Sequence, residues 1–553
     1  MVEQNFLNAS DNKPSPLHEL MGKILAPQEI SSRQILPIMG TMKWFNDSLT
    51  PQSPADFVNA ILRGIGQVIF VNNPVSGLFI LVAIFMQSSW MALMALLGVV
   101  ASTLTAIALK INPHAIRNGI FGFQGTLVGS TLATFGSLGN GNGAWNLLWA
   151  SAVFVLAALT TILMNTLGVW FTTRTKVSIL GIPFHIVTQL FLYLVLLIPQ
   201  PYLHWEFAIA SASSPASISL DFLKLLASFL ISFSQVFFVS NLTGAILVFL
   251  AVALCTPIGA AVGFIGCLTS ALVALAMGIA PEKIYTGFWG FNSVLTAIAI
   301  GGMFYAPNVR SICIALFSVV ICTLCTQLLS WIFAPLGIPF LALPFSLVTI
   351  ACFLVVRHSI PSVVPVALYT ITSPEEHRLR YLTAKDVISN FRRHLESAIQ
   401  GTHHRFLFES ADSSVQGNLR YVFDAIDQDH NGTLSVQEFA THLHKANQTL
   451  SKTELTYLFS SMDIDGSGNI DFDEFCELML RHRRLMSKYQ EFITYFLPID
   501  HDEDESISVK EMNIALSSVG ELPLSHDEVN FLQAKTESKP LTWYQFIEIL
   551  LVT

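Results

Sequence analysis

Three stretches of this chain, residues 119–172, 236–280 and 311–356, contain no Asp, Glu, Lys or Arg. An apolar run of about 20 residues crosses a ~30 Å hydrocarbon core, and each of these runs is more than twice that length. Inside a bilayer, backbone N–H and C=O groups must be satisfied within the protein, which leaves helices for runs of this kind. The bulk composition agrees. Of the 553 residues, 52% are hydrophobic and 12% charged, against roughly 25% charged in an average soluble domain. The expected class is all-α, a multi-pass integral membrane protein of a cell membrane or bacterial inner membrane, surrounded by lipid.

After His358 the character changes. Pro374-Glu375-Glu376-His377-Arg378 opens a charged, soluble tail, and the net charge of −9 includes acidic clusters near Asp463 and Asp500. No nucleic-acid partner is expected. Of the seven cysteines, six lie in apolar stretches and Cys476 in the tail, which is not a secreted disulfide framework. Cys322-x-x-Cys325 lacks the βαβ context of a redox motif and reads as helix packing. The N-terminus shows no signal peptide; it is polar and Pro-broken, with an amphipathic patch near residues 35–45 suited to an interface.

The membrane part repeats itself. Gly119-Ile-Phe-Gly122-Phe123-Gln124-Gly125-Thr-Leu127 returns as Gly287-Phe-Trp-Gly290-Phe291-Asn292-Ser293-Val-Leu295. Upstream, Gln67-Val-Ile-Phe70-Val-Asn72-Asn73 returns as Gln235-Val-Phe-Phe238-Val-Ser240-Asn241, and 235 − 67 equals 287 − 119, both 168. Each half holds five expected spans, near 75–88, 90–109, 119–138, 146–169 and 180–198, then 243–256, 258–279, 287–303, 311–329 and 338–356. The Gln67 and Gln235 segments read as re-entrant half-helices, the first broken by Asn72-Asn73-Pro74 because proline cannot continue the ladder. Broken backbone at membrane depth lines a cavity or is buried in protein. An odd span number inverts the second repeat. Lys110, Arg117, Arg174, Lys176, Arg310 and Arg357 fall on one side, which the positive-inside rule makes cytoplasmic, with both termini.

Ionisable groups inside membranes mark ion and proton paths, and this core has almost none. His185 is the exception and reads as a hydrogen-bonded structural residue. The expected cargo is neutral and its transport passive. Phe70, Phe123, Phe238 and Phe291 suggest flat walls, and Gln67 and Gln235 offer acceptors, as do the carbonyls of broken helices. Such a slot suits a small planar amide.

At these residues the chain resembles the urea transporter family, across about 56–382. The resemblance rests on Leu62-Arg63-Gly-Ile-Gly-Gln67-Val-Ile-Phe70-Val-Asn-Asn-Pro-Val-Ser76-Gly77, on Gly287-Phe-Trp-Gly-Phe-Asn-Ser-Val-Leu-Thr-Ala-Ile-Ala-Ile-Gly-Gly302 and on Ser373-Pro-Glu-Glu-His-Arg-Leu-Arg-Tyr381-Leu382. It implies a homotrimer with one pore per protomer. It also implies urea-binding positions at Gln67, Phe70, Phe123 and Leu127 and at Gln235, Phe238, Phe291 and Leu295. The family's threonine two residues before each Pro-Phe is replaced here by Gly181 and by Ala342, which implies a wider, less polar pore waist. The second broken segment has Leu242 where the first has Pro74.

Three windows of the tail fit the EF-hand loop, with oxygen ligands at positions 1, 3, 5 and 9 and Glu at 12. They are Asp427, Asp429, Asn431, Thr433, Ser435 and Glu438; Asp463, Asp465, Ser467, Asn469, Asp471 and Glu474; and Asp500, Asp502, Asp504, Ser506, Ser508 and Glu511. The third has Glu505 in place of the turn glycine. A fourth unit, aligned on Leu541 and Phe546, has Ala534, Thr536, Ser538 and Gln545 at ligand positions, with no carboxylate among them, and is expected only to pair with the third. Ca²⁺ is the expected cofactor. Docking of the tail, in response to Ca²⁺, on Phe391-Arg392-Arg393-His394-Leu395 or near Trp44 is the sharper reading, and simple Ca²⁺ binding the plainer one.

The expected domains are a cytoplasmic segment 1–53, membrane repeats 54–200 and 201–358, a linker 359–416 and an α-helical EF-hand domain 417–553. No nucleophile–base set, phosphate loop or catalytic zinc motif points to an enzyme. Two other readings stay open: a Ca²⁺-responsive signalling protein on a transport-inactive channel fold, and a channel for ammonia or water.

Overall fold

The computed structural model describes residues 37–135, 147–175, 177–197, 221–359, 363, 365–366, 372–399, 413–445, 459, 463, 466–477, 479–480, 506–518, 520–535 and 540–542. It divides after Leu379 into a larger unit, residues 32–379, and a second unit that takes in the chain from Arg380 onward.

The larger unit is helical. It begins with α1 (Lys43–Ser48), α2 (Pro54–Gln67), α3 (Pro74–Gln87), α4 (Ser89–Ala108), α5 (Pro113–Arg117) and α6 (Gly122–Phe135). Next, α7 (Leu147–Leu163) passes through a π turn into α8 (Val169–Thr175), and α9 (Ile182–Leu196) follows. The series resumes with α10 (Phe222–Gln235), α11 (Leu242–Cys255), α12 (Pro257–Ala276), α13 (Pro281–Tyr285) and α14 (Phe291–Ile298), whose end runs into a second π turn. It closes with α15 (Val309–Phe333), α16 (Leu343–Ser359) and the first turns of α17 (Pro374–Ile399).

From α2 to α5 every helix recurs as α10 to α13, with both its first and last residue shifted by 168. The starts repeat for the same chemical reason. Asn73 accepts from the backbone N–H of Val75 and Ser76, and Asn241 from that of Gly244; Ser88 accepts from Met91 and Thr256 from Gly259. Each such cap is worth about 1 kcal/mol. The missing proline before α11 therefore changes little, because Asn241 starts the helix by itself.

What ends α2 and α10 is not the proline. Val71 N–H bonds Gly66 O at 3.0 Å and Phe70 N–H bonds Gln67 O at 3.1 Å; Val239 and Phe238 make the equivalent bonds to Ser234 and Gln235. This is a Schellman closure, which calls for a left-handed residue, usually glycine. Here Phe70 (φ 62°) and Phe238 (φ 60°) take that role. The break thus comes earlier than Pro74, at a residue with an aromatic side chain.

Four helical stretches among the described residues are long and apolar enough to cross a membrane: Ser89–Ala108, Leu147–Thr175, Pro257–Ala276 and Val309–Leu336. At 14 residues each, α2, α3, α10 and α11 extend only about 21 Å. They cross the ~30 Å core only in part. Close packing of backbones holds the unit together: a Cβ on Gly98 of α4 would lie 2.0 Å from Gly125 O of α6, and the converse holds. Small residues permit such approach where no hydrophobic effect drives helices together. The buried guanidinium of Arg63 pins the first break, donating to the carbonyls of Thr41, Met42 and Asn72 and to the side chains of Asn59 and Asn72. Those bonds and Asn73's to Ile38 O and Gly40 O place the N-terminal patch against the broken segment. Glu375 accepts from Ile258 N–H at 2.7 Å and from the Thr256 hydroxyl, adding to the cap of α12.

In the second unit, α18 (Ser413–Ile426), β1 (Thr433–Leu434), α19 (Val436–Lys445) and β2 (Ile470–Asp471) form one hand pair around Leu419, Phe423, Leu434, Ile470 and Phe475. The strands pair Leu434 with Ile470. Further on, β3 (Ser506–Ile507), α20 (Val509–Ser518), α21 (His526–Lys535) and β4 (Leu541–Thr542) follow, and Leu541 stands opposite Ile507. The seven cysteines are free thiols; burial pushes Cys476 up to about 12.

Candidate functional site

A cavity of about 740 Å³ lies within the larger unit. Its wall includes Gln67, Phe70, Phe123 and Leu127 from the first repeat and Gln235, Phe238, Phe291 and Leu295 from the second, together with Gly181 and Ala342. Asp, Glu, Lys and Arg are absent from the described wall, and His185 is its one titratable side chain.

Gln67 and Gln235 follow one plan. Gln67 donates its amide N–H to Asn118 O at 3.1 Å, and Gln235 donates to Thr286 O at 3.0 Å. Each acceptor precedes a left-handed glycine, Gly119 or Gly287, both at φ 73°. Glycine is needed there twice over, since a Cβ on Gly119 would meet Gly64 N at 2.3 Å. With one of the two amide N–H groups so engaged, each side chain keeps its oxygen as an acceptor and its second N–H as a donor. The Schellman closures meanwhile occupy the carbonyls of Gly66, Gln67, Ser234 and Gln235, so of the acceptors expected from broken helices these four are taken.

The left-handed Phe70 and Phe238 carry their rings into the wall just beyond the glutamines. Phe70 meets Phe345 edge-on (5.9 Å, 70°) and Phe304 (5.8 Å, 89°), whereas Phe238 meets Phe135 (5.7 Å, 87°). Edge-to-face pairs of this kind fix ring planes and add about 0.5–1.5 kcal/mol each. Phe123 and Phe291 lie in the first turns of α6 and α14, and Leu127 and Leu295 stand four residues on, on the same face.

The neighbours of these phenylalanines reach the backbone just before Gly181 and Ala342. Gln124 donates to Leu180 O at 3.3 Å and Asn292 to Leu341 O at 3.4 Å. Leu180 and Leu341 are both left-handed at φ 52°, and Gly181 and Ala342 come next. Several wall residues were not singled out in the sequence, among them Phe184, Phe345, Leu180, Leu341 and Ser346. Their signal was the doubled Pro-Phe itself, which recurs at Pro183-Phe184 and Pro344-Phe345. His185 is buried with its ring beside the Ala342 backbone, and neither ring nitrogen closes a hydrogen bond of full geometry.

In the second unit, oxygens of Asp427, Asp429 and Glu438 lie within 4.8 Å of one another. Two oxygens 2.3–2.6 Å from one Ca²⁺ stand at most about 5 Å apart, so this all-oxygen set fits the ion. The loop is already wound: Asp427 accepts from Gly432 and Asn431 N–H, Asn431 accepts from Thr433 N–H, and Glu438 accepts from Ser435, whose hydroxyl and N–H hold its carboxyl below the usual range. In the second loop Asp463 accepts from Ser467 and Gly468, Ser467's hydroxyl bonds Asn469 O, and Asp471 and Glu474 accept from each other's N–H. In the third, Glu511 accepts from Ser508, next to the strand residue Ser506. Asp465, Asp500, Asp502 and Asp504 lie outside the described residues.

Residues 58–357 match the family model described as urea transporter, and residues 416–480 match an EF-hand domain pair, a calcium-binding class. The chain is 32% identical to Urea transporter 1 of Ovis aries over 384 residues, covering 67% of this chain and 97% of that protein. It is 30% identical to Urea transporter 1 of Mus musculus over 356 residues, covering 63% of this chain and 90% of the relative. The chain belongs to the urea transporter family and carries an EF-hand pair after its membrane unit.

Proposed function

We propose that this protein is a passive, selective channel for urea and related small planar amides, with a cytoplasmic EF-hand unit that binds Ca²⁺ and regulates the flux. The observation that carries the reading is the cavity: its described wall lacks Asp, Glu, Lys and Arg, joins both copies of the Gln/Phe and Phe/Leu sets, and includes Gln67 and Gln235 alongside aromatic side chains. A hydrated ion finds no counter-charge there. A planar amide finds flat apolar walls and acceptors for its N–H groups.

The two repeats lie inverted in the bilayer, with the basic loops, both termini and the EF-hand unit on the cytoplasmic side. Exposed apolar side chains such as Leu104, Phe317, Leu324 and Trp331 face lipid or neighbouring protomers of a homotrimer, each protomer keeping its own pore. Bound Ca²⁺ supplies the charge that draws the acidic ligands of each hand together, which in sensor hands opens the helix pair. Within the second unit Leu395 is buried, and Arg392 donates to Leu522 O, Pro523 O and Glu528. The basic stretch around Arg392 is thus already engaged by residues of the EF-hand unit, which supports it as the docking target. Stopped-flow light scattering of proteoliposomes tests the channel reading: urea uptake exceeds that of empty vesicles and saturates. Uptake of ammonia or water without urea would point to the neighbouring reading instead, and no uptake at all to a signalling protein on a transport-inactive fold.

A further inference from the structure

The waist holds polar atoms that the packing leaves unsatisfied. His185 follows Gly181 by four residues, and Ser346 follows Ala342 by four. The bonds His185 N–H to Gly181 O (3.0 Å) and Ser346 N–H to Ala342 O (3.1 Å) make each pair a helical turn. Residues four apart share one helix face, and side chains tilt toward the N-terminus. A branched side chain at the first position of such a pair therefore shields the second. Gly181 has none and Ala342 has only a methyl group, so His185 and Ser346 form part of the cavity wall.

The two groups also converge. A Cβ built on Gly181 would stand 3.5 Å from Ser346 Oγ and 3.7 Å from His185 Nε2, so the space left by one side chain touches both. His185 is 2% exposed and Ser346 0%; Ser346 Oγ lacks a partner, and the His185 ring lies beside the Ala342 backbone without closing a hydrogen bond of full geometry. Buried polar groups in folded proteins are nearly always hydrogen-bonded.

We propose that His185 and Ser346 form a polar subsite at the waist that binds a neutral amide, an inference that rests on the channel reading above. A neutral imidazole offers one N–H donor and one lone pair, and a hydroxyl offers both functions. Together they present a donor for a carbonyl oxygen and an acceptor for an amide N–H. No carboxylate, ammonium or guanidinium in the described wall competes for the ligand. The waist expected to be less polar for want of two threonines takes its polar atoms from one turn further along each helix.

The test uses the full-length protein in proteoliposomes, measuring urea uptake and its half-saturating concentration, with the thermal midpoint as a control for folding. His185→Leu and Ser346→Ala should each lower urea uptake about three- to tenfold, the range for loss of one neutral hydrogen bond. The double variant should fall little below the worse single one, because both groups hold the same ligand. His185→Asn, which keeps a donor and an acceptor, should recover uptake to within about twofold of wild type. The deficit of His185→Leu should be smaller for 1,3-dimethylurea, which has lost half of its N–H donors. Uptake within twofold of wild type in both single variants, or His185→Asn as impaired as His185→Leu, overturns the subsite while the channel reading stands. If His185→Leu does not fold, Ser346→Ala and His185→Asn decide by the same thresholds. Wild-type protein without urea uptake overturns the channel reading and the subsite with it.

Discussion

Gln67 and Gln235 each commit one amide N–H to a backbone carbonyl, which leaves the oxygen and the second N–H of each side chain. Gln235→Leu keeps the bulk and removes the acceptor. Urea uptake should fall about three- to tenfold, with a thermal midpoint near that of wild type because the side chain is partly exposed. Gly181→Thr with Ala342→Thr should narrow the waist and sharpen selection of urea over methylated analogues; an unchanged uptake ratio would contradict this. Glu438 supplies a pH signature. Hydrogen bonds from the Ser435 hydroxyl and N–H hold its carboxyl below the usual glutamate range. A depressed carboxylate contributes stability that is present above its unfolded pKa and is lost as pH falls through the folded one. The Ca²⁺-free first hand should therefore loosen as the pH falls below the usual glutamate range, visible as earlier proteolysis or faster amide exchange between Asp427 and Glu438, and Glu438→Gln should remove that pH step.

The half-helix ends show how an element can be built for function at a local cost. A left-handed backbone at a residue with a Cβ costs about 1–2 kcal/mol, and such strain tends to collect at functional sites. Phe238→Gly relieves that strain and forfeits the edge-to-face contact with Phe135, worth a similar amount. The thermal midpoint should hence move little while selection among amides weakens. A large loss of stability together with intact selectivity would show that the ring serves packing alone. The repeats made the half-helices legible in the sequence, and the Asn241, Ser88 and Thr256 caps follow known residue preferences. The Schellman closures were not legible, because a phenylalanine hides a backbone conformation that a glycine would have announced. Phe184 and Phe345 escaped for a related reason: the Pro-Phe pairs lie 161 residues apart instead of 168, so the offset that revealed the other pairs passes them by. The burial of His185 can be read from its apolar surroundings, whereas its place in the cavity wall near Ser346 appears only in three dimensions.

At the scale of the molecule, charge segregation divides the chain between a charge-poor membrane unit and a charged, acidic tail, and both families could be read from residue patterns. The EF-hand loops were the most legible part, since twelve-residue ligand spacing is set by the coordination geometry of the ion. Flux should differ between micromolar Ca²⁺ and chelator, and Glu438→Gln with Glu474→Gln should remove the difference; equal flux in both conditions with wild-type protein would leave the tail a Ca²⁺-binding appendage. The claim on which the rest depends is that the charge-free cavity conducts urea. Stopped-flow urea uptake by proteoliposomes, wild type beside Gln67→Leu/Gln235→Leu, measures it most directly. The account predicts fast, saturable uptake by the wild type and at least about a tenfold loss in the double variant, from two hydrogen bonds removed. Wild-type uptake no faster than that of protein-free vesicles, or uptake indifferent to both glutamines, would contradict it.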